Sequence, residues 1–172
     1  MRLARILASL LLFAVFVPGV AAAQNAPDPS YVTQRSIMLS ALSVDAARIA
    51  AERAQSRDVR AFADDAIDRF RGLTSDAREM ANDADLPAIA TRYEFGREQL
   101  ALLDRIKDAD GRNVDRAFLE LQDYVTRNLI NLYEDAADGT RNERVRRFAQ
   151  NHLALVRDHA RQTDRIRDAA IR

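Results

Sequence analysis

Cysteine is absent from the 172-residue chain. Disulfides, thiolate metal sites, thiol catalysis and a lipid-modified amino-terminal cysteine are therefore excluded. Whatever fold forms must be held by its core alone. Histidine occurs only twice, as His152 and His159. Lysine occurs once, at Lys107, and arginine supplies the rest of the 26 basic residues. That skew reads as a coding bias of the source genome, not as a site. A charge excess is missing too: 26 basic residues face 26 acidic ones. A general nucleic-acid binder needs a basic surface to displace counterions from phosphate, so none is expected here. The chain has no glycine-rich phosphate loop, no nucleophile elbow and no basic–aromatic nucleic-acid motif.

Long apolar runs are absent after the amino terminus, so nothing anchors the remaining chain in a membrane. At the amino terminus one run does occur. Arg2 and Arg5 precede Ile6–Val17, which carries no charge; Pro18-Gly19 breaks the run, and Ala21-Ala22-Ala23 follows. This is the three-part pattern of a secretory signal, with cleavage expected between Ala23 and Gln24. The run is short for a spanning helix, which needs ~20 apolar residues. A periplasmic or secreted location follows as the expectation. Removal of residues 1–23 leaves 149 residues, the size of one domain, with 24 basic against 26 acidic groups. Residues 24–30 read as a polar, proline-containing linker, and 31–172 as the folded domain.

Glycine is scarce beyond the linker, and the pattern is helical throughout. Period-two alternation is not sustained anywhere, so strands are not expected. A first helix is predicted from Pro29 or Tyr31 to Ala54, capped by Asp28 or Ser30, with Met38, Leu42, Ala46 and Ile49 inward. A second runs from Arg57 to Asn82 behind Ser56, with Val59, Phe62, Ala66, Phe70, Leu73 and Met80 at three- and four-residue steps. A shorter third is expected from Arg92 to Asp108, opened by a Thr91/Glu94 capping box. A fourth spans Val114–Ala137 with Asn113 as cap. A fifth starts at a Thr140/Glu143 capping box and continues to about Ala170. Four long helices with short turns after the first and fourth predict two antiparallel hairpins, the third helix lying in the connection between them. The fold expected is all-α: a ferritin-like four-helix bundle with one long crossover.

Such a bundle raises the question of a di-metal site, which uses inward glutamates and Glu-x-x-His pairs. Ala149 and Val156 stand three residues before the two histidines, so the motif fails at both and a carboxylate-bridged di-iron site is not expected. His152 and His159 remain the candidate metal ligands. They lie on one stripe with Val145, Phe148, Leu155, Thr163 and Ile166, ~10 Å apart along the axis. One ion cannot take both directly at ~2.0–2.1 Å per ligand. The weightier reading is two neutral core histidines bonded to Gln122, Thr126 or Asn128. Tyr31, Tyr93, Tyr124 and Tyr133 read as packing residues. Arg141, Arg144, Arg146 and Arg147 cluster at the start of the fifth helix, as a solvated surface or as a binder of anionic headgroups. Arg157, Arg161 and Arg165, with Asp158, Asp164 and Asp168 among them, look like a salt-bridged outer face.

The order of these segments resembles an exported bacterial family, domain of unknown function 4142, over about Tyr31 to Ala169. Val59-Arg60-Ala61-Phe62-Ala63 resembles its "V-k-x-F-A" segment. Gly111 to Glu134 resembles its "G-x-x-F-D-x-x-Y-x-x-x-Q" helix, with Asp115 and Gln122 matching and Val114 and Phe118 substituting. Phe148-Ala149-Gln150 through His159 resembles its closing "F-A-x-x-x-L-P-x-L-x-x-H" segment, with Ala154 in place of proline. The resemblance implies a ferritin-like fold and an inward polar set: a glutamate where Ser43 stands, Asp-His where Arg69-Phe70 stand, a histidine where Thr126 stands, and the histidine that His159 matches. At three of these four sites, the Asp-His pair counted as one, the implied residues are thus replaced. A compensating placement is conceivable, since a hairpin turning at Gly139 puts His152 level with Thr126; His152, His159 and Gln122 would then form a residual polar pocket.

These readings favour a non-enzymatic exported bundle that acts through its surface on a protein or envelope partner, as an interaction or envelope-stress module. No cofactor is expected. The alternative is a degenerate ferritin-like metal-binding protein.

Overall fold

Asp28 opens the first helix by accepting the amides of Ser30 (2.8 Å) and Tyr31 (3.2 Å), while Pro29, which has no amide to leave unpaired, takes the first turn. In this computed structural model, which describes residues 27–87 and 94–170, five helices follow: Pro29–Arg53 (α1), Arg57–Asp83 (α2), Arg97–Asp108 (α3), Arg112–Gly139 (α4) and Glu143–Ala170 (α5). The expected signal segment, Thr91 and Tyr93 lie outside the described residues. Among the described residues no strand occurs, and no helix is long and apolar enough to cross a membrane.

Cross-helix contacts fix the topology. Asp83 meets Arg144, Asp76 meets His152, and Arg69 meets Asp158, so α2 and α5 run antiparallel. Ser43 meets Gln122 and Arg35 meets Asn128, so α1 and α4 do as well. Short turns make α1/α2 and α4/α5 antiparallel hairpins. The four long helices therefore surround one core in the spatial order α1, α2, α5, α4, and the α2–α4 connection crosses the length of the bundle carrying α3. The expected four-helix bundle with one long crossover is the architecture observed.

Several boundaries differ from the sequence expectation, each for a local reason. The third helix begins at Arg97 rather than Arg92, because residues 94–96 are not helical and Gly96 takes an extended cap position with no side-chain bond. The fourth begins at Arg112, and Asn113 lies inside it; Gly111 precedes it at φ 54° and ψ −129°, a conformation that demands glycine. At the fifth, Asn142, not Thr140, accepts the first-turn amides of Arg144 (3.1 Å) and Val145 (3.2 Å). Thr140 closes α4, and Glu143 pairs with Arg146 and Arg147. The end of α2 is a Schellman turn: Asp85 sits at φ 51°, and the Leu86 amide reaches back to the Ala81 carbonyl at 3.0 Å.

The α1 interior is wider than its expected stripe. Met38 and Ile49 are only half-buried, whereas Ser36, Ser40 and Ser43 are fully buried beside Leu39, Leu42, Ala46 and Ala47. α1 packs against α2, α3 and α4, so it presents little outer surface, and its small residues let neighbours approach. Ser36 tolerates burial because its hydroxyl donates to the Val32 carbonyl at 2.7 Å. Gly72, by contrast, sits exposed in the middle of α2, where an added Cβ meets nothing within 4 Å. Gly72→Ala is expected to raise stability by about 0.5–1 kcal/mol through helix propensity. An unchanged or lower urea midpoint would contradict that.

Candidate functional site

His159 is the one histidine in the core, with no solvent exposure. Its position follows from the α5 stripe, which places it one turn above Val156 and one below Thr163, all buried. The imidazole stacks on Phe62 (centroids 4.6 Å apart, planes at 21°) and meets Phe70 edge-on at 5.0 Å. Gln122, also fully buried, supplies its polar partner: Oε1 accepts from Ser43 Oγ at 2.9 Å and lies 3.0 Å from His159 Nε2. An oxygen that accepts requires a donor, so Nε2 carries the imidazole hydrogen. Nδ1 is then bare, and it has no hydrogen-bond partner, nor has Gln122 Nε2. Burial, with Arg69 adding to it and Asp158 opposing, pushes the His159 pKa down to about 3. The ring is neutral at every physiological pH.

His152 has different surroundings. It sits at the bundle edge, half-buried, with Nδ1 2.9 Å from the Phe148 carbonyl and Nε2 3.0 Å from Asp76 Oδ2. Both nitrogens face acceptors. The level expected for it is shifted. Gly139 remains helical and the turn lies at Thr140–Asn142, so Tyr133 packs on Phe148 and Gln122 bonds His159. Thr126 therefore stands level with Leu155, and its hydroxyl donates to the Gln122 carbonyl at 2.9 Å. The structure brings His159, Gln122 and Ser43 together and leaves His152 outside that group. His152→Leu removes the edge contacts to the Phe148 carbonyl and to the half-exposed Asp76 carboxylate, and a stability change below about 1 kcal/mol is expected by chemical denaturation.

The donor set around His159 is one amide oxygen, one hydroxyl and one imidazole. No carboxylate lies in it, and a divalent ion would meet no negative charge there. Among the described residues no group of three or more histidine, aspartate or glutamate side chains is placed to hold one metal ion. These residues do not fit a bridged metal site.

Elsewhere several charges are paired. Arg144 meets Asp83 at 3.1 Å, and Arg146 and Arg147 both meet Glu143, so of that cluster Arg141 alone lacks a carboxylate partner among the described residues. On the outer α5 face Arg157 meets Glu134 at 2.6 Å, Arg161 meets Asp158 at 3.2 Å, and Arg167 meets Asp164 at 3.0 Å. Of the tyrosines, Tyr31 is 54% exposed, and Tyr133 is fully buried with its pKa pushed well above the ordinary value.

Gln122, expected as a partner of the core histidines, and Asp115, for which the sequence suggests no role, are both latches between the hairpins. Gln122 joins α4 to both α1 and α5. Asp115, 6% exposed, accepts the backbone amides of Gln55 (2.8 Å) and Ser56 (3.0 Å) in the α1–α2 turn. The family model described as Domain of unknown function (DUF4142) matches residues 17–166. The chain belongs to this family. In this DUF4142 member, Ser43 and Phe70 stand at two of the positions where the family resemblance implies ligands; Phe70 meets the His159 ring, and Ser43 donates to the Gln122 oxygen that also faces it. The chain is also similar to a crystal structure of a DUF305 fragment from Deinococcus radiodurans, with a TM-score of 0.69 and 19% identity over 81% of this chain and 95% of that one. That likeness carries the fold. None of the curated proteins matches the chain.

Proposed function

We propose that this DUF4142 member is an exported, non-enzymatic helical bundle that acts through its surface, as an interaction or envelope-stress module. The observation that carries the reading is the state of its one core imidazole. His159 is sealed from solvent, its donor is spent on Gln122, and Phe62 and Phe70 cover it. A general base must reach the proton it abstracts, and a ligand must offer a lone pair to an accessible ion. His159 does neither, and serves as a polar lock between α4 and α5. Export rests on the Arg2–Ala23 pattern.

The alternative, a degenerate ferritin-like metal binder, is favoured by one observation: Ser43, Phe70 and His159, three of the positions marked by the family resemblance, converge on one point of the core. The discriminating measurement is metal content and metal-induced stabilisation of the mature chain, residues 24–172, purified from periplasm without an affinity tag. The surface-acting reading expects no stoichiometric metal and no rise in Tm with iron, zinc or manganese. Stoichiometric metal with a raised Tm that His159→Gln abolishes would establish the alternative.

A further inference from the structure

Along the outer seam of the first hairpin, α1 and α2 leave a groove of about 340 Å³. Its origin is local. Ala41 and Val44 form the buried floor, and Thr74 and Ser75 are too small to fill the gap from the α2 side. Long side chains stand around it: Arg48 from α1, and Arg71 and Arg78 from α2. Arg71 and Arg78 are seven residues apart, two turns on one face, so their stems rise ~10 Å apart with Ser75 between them. The groove holds one carboxylate, Asp45, which faces Arg48 at 3.7 Å. Arg71 and Arg78 have no carboxylate partner among the described residues, so the groove carries a surplus of two positive charges.

We propose that this α1–α2 groove binds a small phosphate-bearing anion, held by the Arg71 and Arg78 guanidinium groups with the Ser75 hydroxyl as an added donor. Three features fit this ligand class. The surplus of two charges complements a phosphate dianion. Planar guanidinium forks match tetrahedral oxyanions with paired hydrogen bonds. The volume exceeds what inorganic phosphate alone needs and lies within the range of small-ligand sites, about 300–1,000 Å³, leaving room for an organic body such as glycerol. Asp45 at the floor is partly desolvated, and burial raises its pKa against the pull of Arg48 and Lys107. Thr74 contributes no donor, because its hydroxyl is committed to the Phe70 carbonyl at 2.9 Å. The inference goes beyond the surface-acting reading and does not depend on the state of the core.

Two arms test it and separate a soluble source from a lipid headgroup. In the first, the mature chain is titrated with glycerol 3-phosphate by calorimetry at physiological ionic strength. In the second, it is floated with phosphatidylglycerol vesicles, with phosphatidylcholine vesicles as reference. Each arm compares the wild type with Arg71→Gln/Arg78→Gln and with Arg141→Gln, which removes an exposed cation that does not line the groove. Binding in either arm that falls by about tenfold or more in the double variant, and stays unchanged in Arg141→Gln, supports the proposal. The arm that binds names the source. No binding in either arm overturns it, as does binding that Arg141→Gln weakens as much as the double variant, since diffuse charge would then explain it.

Discussion

Stability is expected to fall by roughly 1 kcal/mol for each pH unit below about 6.5, and His159→Gln is expected to abolish most of that slope between pH 6.5 and 5. The folded-state pKa of His159 is about 3, below its ordinary value of 6.5. Between those values the unfolded chain binds a proton that the folded chain refuses. The stabilisation is therefore complete above about pH 6.5 and is lost progressively as pH falls toward 3. The structural cause is on the ring itself. Protonation would place a second N–H on Nδ1, which has no acceptor, inside a site with no exposure. Stacking on Phe62 offers the cation a favourable face, worth about 0.5–2 kcal/mol. Loss of hydration outweighs that, since desolvation is the largest cause of the shift. Against a net stability of about 5–15 kcal/mol for an ordinary domain, two pH units remove a substantial fraction. Urea midpoints near pH 7, 6 and 5 for the wild type, His159→Gln and His152→Leu provide the check. A His159→Gln curve parallel to the wild type would show that other groups carry the slope.

Much of the fold is legible in the sequence because each long helix has a dense apolar stripe and a visible cap or stop. Phe62, Phe70, Phe118, Leu121, Val125 and Leu129 recur at helical steps, and all are buried. Asp28 and Ser56 cap where their side chains predict. The failures have a common physical origin. Thr140 and Asn142 are both competent caps, and only the path of the turn decides that Asn142 receives the amides. The serines of α1 count as polar in any periodicity argument, yet they are interior because α1 is covered on several sides. His152 and Asp76 are 76 positions apart, and no local signal joins them. The pairing of His159 with Gln122 was accessible as one of several candidate partners. The groove between α1 and α2 was not, because it requires the register of the hairpin to bring Arg48 opposite Arg71 and Arg78.

Asp115→Ala is expected to destabilise the bundle by about 3 kcal/mol, a loss out of proportion to one side chain near the end of a helix. The α1–α2 turn shows why. Residues 54–56 connect two helices and contribute backbone groups that no helix satisfies. Arg60 donates to the carbonyls of Ala54 and Gln55. The amides of Gln55 and Ser56 have no such local partner and are taken by the two oxygens of one carboxylate, at 2.8 and 3.0 Å. Each is a charge-assisted bond, worth about 1.5–3 kcal/mol. The carboxylate also sits in the first turn of α4, where the helix dipole favours negative charge. Asp115 therefore ties the first hairpin to the second at one end of the bundle, as Gln122 does in the middle. Asp115→Asn keeps one acceptor oxygen and loses the charge, so it can serve only one amide, and roughly half the loss is expected. Guanidinium unfolding of the three proteins gives the energies, and hydrogen exchange at Gln55 and Ser56 gives the mechanism. Both amides should lose protection in the alanine variant and one in the asparagine variant. A loss below about 1 kcal/mol with both amides still protected would mean that water replaces the carboxylate. The match of Asp115 to the family motif would then need another cause, since it would no longer mark the residue that docks the two hairpins.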